Sequence, residues 1–237
     1  MSVHSLRSRR SPGRRRRFRP LIVVAALVGT VVGLGWVALH SSLFAVRTVT
    51  VEGTSRLSAG QVLAVARVVR GGSLFGLDPT AVERRVARLP AVAHVEVRRR
   101  WPHGVNIRVV ERTAVGAVAS AGEFVLLDAT GVAFDHAQVA PPGLVTVQLG
   151  AAVPGPGDSD ARAAMQVLGS LPLGVRHRVL AVHAPSPLEV SLDLRDGRSV
   201  LWGSAAQSAT KAAVLQTLLH RRAQVYDVST PSIVVTR

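Results

Sequence analysis

The sequence predicts an α+β chain, with a single transmembrane helix followed by a small β-α-α-β-β domain and a mixed α/β second domain. Three observations predict it. An uncharged run, Leu21–Leu39, directly follows a tract of arginines. Over residues 44–112, apolar residues recur first with the period of a strand, then of helices, then of strands again. From residue 113 onward, short alternating segments predominate, punctuated by Gly-, Pro- and Asp-rich turns and two helical stretches.

Residues 1–20 form a basic tail with eight arginines and no acid. The 19 residues from Leu21 to Leu39 carry no charge. As a helix they span roughly 28 Å, against roughly 30 Å of hydrocarbon. The next charge is Arg47, so the arginine excess lies on the N-terminal side and places that end in the cytoplasm. This makes residues 21–40 a single-pass type II span of the plasma membrane. Trp36 suits its outer interface. A cleaved signal peptide would have a shorter apolar run and small residues at its end, whereas this run closes on Ala38-Leu39-His40. Gly29 and Gly33 make a GxxxG pair that would let a second membrane helix pack closely, although Gly is also simply frequent in such helices.

The 237 residues carry a formal net charge of +15, which would suit a nucleic-acid binder. Without the tail's eight arginines the excess is only +7, so most of the signal is local to the apolar run. With no cysteine, disulfides, thiolate metal sites and a thiol nucleophile are excluded. Aromatics are 4% of residues, so the core must be built from Val, Leu and Ala. Arginine outnumbers lysine 28 to one, which makes Arg a poor functional marker here.

In residues 44–112, Val49 and Val51 alternate with Thr48, Thr50 and Glu52 as a half-buried strand that Gly53 ends. Ser58 and Gln61 have capping-box spacing, and Val62, Val65, Ala66 and Val69 form a helical stripe that Gly71-Gly72 breaks. Asp78-Pro79 starts a second helix, with Asp as N-cap and Pro at its first position, and Val82, Val86 and Leu89 on its inner face. Val95 and Val97, then Val105, Ile107 and Val109, mark two strands joined by a turn at Trp101-Pro102-His103-Gly104. Two helices can cover one face of such a sheet and leave an edge in water, where a partner strand can dock.

This order of elements resembles the POTRA domain of the bacterial cell-division family FtsQ, called DivIB in some lineages. The residues that carry the resemblance are Val49-x-Val51-x-Gly53, the Leu89-Pro90-x-Val92 link, the Arg100-Trp101-Pro102 corner and the Val110-Glu111-Arg112 ending. The chain shows no sustained β-barrel repeat of the kind that follows POTRA domains in outer-membrane proteins.

Residues 113–237 read as mixed sheet with two helices. Glu123–Phe134 is a hairpin turning at Asp128-Ala129-Thr130-Gly131. Residues 144–149 alternate, and Ser159–Leu171 suits a helix with Asp158 or Asp160 at its start. Val190, Leu192 and Leu194 form a strand that turns at Asp196-Gly197 into Ser199–Trp202. A helix over 204–220 follows, with Val214, Leu215, Leu218 and Leu219 on its apolar side. The order is similar to that of the β domain of the FtsQ family.

No metalloprotease, nucleophile-elbow, P-loop or dinucleotide motif is present, and no two of the eight histidines have helical ligand spacing. No enzyme, cofactor or metal site is therefore expected. Arg84, Arg85 and Arg88, with Arg98, Arg99 and Arg100, could attract anionic headgroups or wall polymers, or simply be solvated. The resemblance implies a noncatalytic divisome scaffold concentrated at the septum. It implies binding to FtsB- and FtsL-like proteins, with links to the wall synthases FtsW and FtsI, by strand addition at the end of the β domain. Here that end is Val225–Arg237, and Tyr226, Ser229, Thr230, Ser232 and Val234 are expected to border the docking site. Pro231 cannot donate to a ladder, which suits an edge. An envelope POTRA-type chaperone or docking module outside cell division is the alternative.

Overall fold

The computed structural model describes residues 19–40, 44–151, 154–155, 157–230 and 235–236. The basic tail before Arg19, and Ser232 and Val234 of the expected docking site, lie outside them. Helix α1 runs from Arg19 to His40, and its side chains from Val23 to Val37 are all exposed. Among the described residues no helix is long and apolar enough to cross a membrane.

Next come β1 (Thr48–Glu52), α2 (Ala59–Ala66), α3 (Pro79–Val86), β2 (Val92–Arg100) and β3 (Gly104–Glu111). They build a three-stranded sheet in the order β1-β3-β2, with β1 parallel to β3 and Val49 opposite Val105. Val62, Ala66, Val82, Val86, Val95, Val97, Val105, Ile107 and Val109 are buried, as the apolar periods predict. Asp78 caps α3, its Oδ1 accepting from the Ala81 N–H at 3.2 Å. The first helix is shorter than its stripe predicts. Arg67 takes φ 50°, α2 stops at Ala66, and Val69 is 73% exposed. The chain turns there because its next residues are needed elsewhere. Gly71 N–H donates to the Val46 carbonyl, and Val46 N–H to the Gly72 carbonyl, both at 2.9 Å.

The remaining strands are β4 (Gly116–Ser120), β5 (Glu123–Leu127), β6 (Ala133–Ala137), β7 (Val145–Leu149), β8 (Val179–Ala184), β9 (Val190–Leu194), β10 (Ser199–Gly203), β11 (Val225–Asp227) and β12 (Val235–Thr236). They form one open mixed sheet in the order β12-β11-β10-β9-β8-β7-β4-β5-β6. Three helices interrupt it: α4 (Ser159–Ser170), the short α5 (Leu173–Arg176) and α6 (Ser208–Leu218). Helix α4 buries Ala161, Ala164, Met165 and Leu168 in a core shared with Val147, Val182, Leu192, Val200, Trp202 and Leu215. The Asp158 carboxylate caps α4, accepting from the N–H groups of Asp160 and Ala161 at 2.9 Å.

Two corners are tied by acids in main-chain cradles. Glu111, which ends β3, accepts from the N–H groups of Ser55, Arg56 and Leu57 at 2.8–3.1 Å and from the Ser55 hydroxyl at 2.8 Å. The loop approaches through Gly53, at φ +82°, where a Cβ would lie 2.1 Å from the Val109 carbonyl oxygen. Asp128, 6% exposed, holds the β5–β6 turn through the Thr130 N–H and hydroxyl and the Val132 N–H, and pairs with Arg112. Arg112 also donates to the Pro90 carbonyl at 3.0 Å. Burial pushes both carboxyls up, but the donors more than offset it, and both are held below their ordinary values.

Glu111 ionises at about 2, below its ordinary 4.5. A depressed carboxylate contributes stability that is fully present above the unfolded value and lost as pH falls through the folded one. Glu111→Gln should therefore cost about 1–2 kcal/mol at neutral pH. The urea midpoints of the two proteins should converge as pH is lowered from 4.5 toward 2.

Candidate partner-binding edge

The last part of the chain forms one margin of the nine-stranded sheet. Strand β10 leads into α6, and the chain returns as β11, parallel to β10 with Val200 opposite Tyr226. Strand β12 then pairs antiparallel with β11 through Tyr226 opposite Thr236 and Asp227 opposite Val235. The register between β9 and β10 shifts between Leu201 and Gly203. Gly203 there takes φ +72°, and a Cβ on it would sit 3.1 Å from the Ser229 Cβ.

Three polar anchors hold this margin. Lys211, the chain's single lysine, is 2% exposed on the buried face of α6. Its ammonium donates to the carbonyls of Trp202 and Ser204, both at 2.9 Å, so α6 grips the end of β10. Burial pushes its pKa down, and the charge of Asp227 on β11 opposes that shift. Trp202, fully buried, donates its indole N–H to the Ser208 hydroxyl at 3.3 Å.

Arg198 is the second anchor. It donates to the Tyr226 hydroxyl at 2.7 Å and to Asp196 at 2.7 Å and 3.0 Å, and lies 5.4 Å from the centre of the Tyr226 ring. The Asp196 hydrogen bond holds the guanidinium protonated, and the same contact lowers Asp196. The third anchor is the Asp227 carboxylate, which accepts from the Ser229 N–H at 2.9 Å and hydroxyl at 2.7 Å, turning the chain after β11.

These contacts divide the expected docking residues. Tyr226 does not border an open site with its side chain, because it is fully buried and its hydroxyl donates to the Arg221 carbonyl at 2.7 Å. Its ring positions the strand, since alternation turns it into the core. Ser229 and Thr230 are exposed. Gly29 and Gly33 are exposed on α1, and a Cβ on either would meet nothing within 4 Å. Sequence reasoning missed Lys211. Its signal was the spacing of Ser208, Lys211, Ala212, Leu215 and Leu218, which places the lysine in the stripe that packs inward.

The opposite margin is different. Strand β6 carries Asp135, paired with Arg56 at 3.4 Å, and the exposed His136. Charges on an outer strand discourage pairing with another chain. Among the described residues no group of three His, Asp or Glu side chains could hold a metal. His183 instead contacts Asp193 at 2.6 Å and Gln148 at 3.1 Å.

Removing the buried ammonium takes away the donor that the Trp202 and Ser204 carbonyls share. Lys211→Ala should lower stability by about 2–3 kcal/mol, read as a drop in thermal midpoint. Leu201→Ala, at an exposed position of the same strand, should change it little.

Comparison with known proteins places both parts of the chain. Residues 44–112 match the family model of the FtsQ-type POTRA domain, and residues 117–230 match that of the FtsQ/DivIB C-terminal region. The cell division protein FtsQ of Streptomyces collinus is 38% identical over 230 residues, covering 92% of this chain and 87% of that one. The Streptomyces coelicolor FtsQ is 37% identical, with 92% and 89% covered, and that of Mycobacteroides abscessus 35%, with 90% and 67%. A solved extracytoplasmic domain of DivIB from Geobacillus stearothermophilus aligns at 19% identity and a TM-score of 0.33, over 44% of this chain and 87% of that one. With its sheet-forming regions matched in order and its relatives aligned over most of their length, this chain belongs to the FtsQ family of cell-division proteins.

Proposed function

We propose that this chain is a noncatalytic, single-pass scaffold of the divisome that captures a partner by strand addition beside β12. The observation that carries the reading is the open margin of the nine-stranded sheet, where β12 pairs with β11 through only two residues. The run Ser232-Ile233-Val234-Val235-Thr236 is rich in β-branched residues, which suit a strand. Its outer main-chain groups supply affinity, and alternate side chains supply selectivity. Ser229, Thr230, Ser232 and Val234 border the docking site, and Tyr226 acts beneath it as a positioning residue. FtsB- and FtsL-like proteins are the partners, with FtsW and FtsI joined through them.

In this reading residues 1–20 are a cytoplasmic tail, 21–40 the transmembrane helix, 44–112 the POTRA domain and 113–237 the β domain. The membrane assignment rests on the uncharged run Leu21–Leu39 and the arginines before it. It is supported by the exposure of every described side chain from Val23 to Val37, an apolar surface that water would not tolerate uncovered. Gly29 and Gly33 offer a close-packing face to another membrane helix. The protein sits in the plasma membrane with its C-terminal domains outside, and it concentrates at the septum.

Deleting Thr230–Arg237 should abolish co-purification with FtsB- and FtsL-like proteins while leaving the thermal midpoint of the remaining domains nearly unchanged. Capture at the full-length level would remove the β12 assignment. A fluorescent fusion should form a mid-cell ring, and depletion should block septation. A uniform outline with normal division would favour an envelope POTRA-type chaperone or docking module instead.

A further inference from the structure

The chain is poor in aromatics, yet three of its nine meet at one place. Phe44 and Phe75 pack edge to face with ring centres 5.2 Å apart, and Trp101 lies 4.6 Å from Phe75 and 5.8 Å from Phe44. The cluster is not a core, because Phe75 is 41% and Trp101 50% exposed. It is nevertheless framed by hydrogen bonds. Leu74 N–H donates to the Phe44 carbonyl at 2.8 Å, and Arg99 donates to the Leu77 carbonyl at 2.5 Å and the Phe75 carbonyl at 3.4 Å. Beside Trp101 opens a cleft of about 360 Å³ whose lining includes Arg47 and Arg100. In residues 113–237, by contrast, Phe134, Trp202 and Tyr226 are buried and Phe124 is half-buried.

Charge is divided in the same way. Residues 44–112 hold twelve arginines against five acids, a net +7, whereas residues 113–237 hold nine basic and nine acidic residues, a net of zero. Covalent reach fixes where the cluster can be. Phe44 follows His40, the last residue of α1, by four residues, so the two lie at most about 14 Å apart. The headgroup layer is roughly 5–7 Å deep on each side of the hydrocarbon. An amphipathic Trp ring, with apolar rings beside it and arginines at the rim, suits that layer.

We propose that the Phe44–Phe75–Trp101 cluster, with Arg47 and Arg100 at its rim, docks the first extracytoplasmic domain onto the anionic phospholipid surface of the membrane that anchors α1. The aromatic rings enter the headgroup layer, and the arginines bind lipid phosphate. Docking restricts the swing of the domain about the helix end. This inference rests on the membrane assignment of α1, and its test separates the two.

The absence of cysteine makes every introduced cysteine a single labelling site. Full-length chains carrying Gly29→Cys, Phe75→Cys, Val69→Cys or Leu201→Cys are labelled with an environment-sensitive fluorophore. They are then reconstituted into phosphatidylglycerol-containing or purely phosphatidylcholine vesicles bearing spin-labelled lipid quenchers. Val69, 73% exposed and six residues before Phe75, stands in should Phe75→Cys fail to fold, and Leu201, 45% exposed on β10, is the control. The expected result is strong quenching at 29 in both vesicles, and quenching at 75 and 69 several-fold above that at 201 in the anionic vesicles alone. Quenching at 29 but not at 75 or 69, as a wall polymer or protein partner for the cluster would give, overturns the proposal and leaves the span standing. Equal quenching at 75 in both lipids also overturns it. No quenching at 29 removes the membrane assignment itself.

Discussion

An open β-sheet has two margins whose main-chain donors and acceptors face outward, and each must be guarded, covered or given to a partner. Most of what distinguishes the nine-stranded sheet follows from that constraint. Its strand order cannot close, because β6 and β12 lie at opposite ends. The β6 margin is guarded by Asp135 with its Arg56 partner and by His136. The β12 margin is formed by the two-residue strand Val235–Thr236, and the sequence from Thr230 to Thr236 carries no charge. The two ends of the sheet therefore differ in how their outward main-chain groups are protected.

With so few aromatics, the hydrophobic core of this sheet is mostly Val, Leu and Ala, and such side chains carry little geometric specificity of their own. The strand ends are positioned instead by charged groups that spend their hydrogen bonds on main chain. Glu111 gathers three successive N–H groups, Asp128 closes the β5–β6 turn, and Lys211 binds two carbonyls at the end of β10. Each is a buried or half-buried charge that is tolerated because main-chain groups hydrogen-bond it. Removal of either side of such a contact leaves an unsatisfied group, which is why these few residues outweigh the many solvated arginines.

Residues 44–112 and residues 113–237 also differ in surface character. Residues 44–112 concentrate positive charge and expose Phe75 and Trp101, whereas residues 113–237 are neutral and bury Phe134, Trp202 and Tyr226.

The strand–helix–helix–strand–strand order was legible in residues 44–112 because each element there has one apolar face, so period alone reports it. The hairpin around Asp128–Gly131, the Asp158 cap and the Asp196-Gly197 turn were legible for a similar reason, since their chemistry is local. Strand β4, Gly116–Ser120, was not legible: it is short and built of small residues, and it becomes a strand by lying between β5 and β7. Strand β8 is likewise recognisable only from its parallel partner β7 and its antiparallel partner β9. At the candidate edge, the sequence indicated where the last strand lies. It misjudged Tyr226, whose fate depends on Arg198 and the Arg221 carbonyl, and it overlooked Lys211, whose partners lie nine and seven residues earlier in the chain.

By itself, then, the sequence determined the succession of elements in residues 44–112, the polarity of its arginine tail and apolar run, the absence of thiol chemistry and the family to which the chain belongs. These are properties of periodicity, composition and local turn chemistry. Only the tertiary structure decided which strands are neighbours, which margin is guarded, where three scattered aromatics meet and which ionised groups are buried. Those outcomes depend on contacts between residues far apart in the chain, and a linear pattern does not encode them until the backbone ladders bring the partners together.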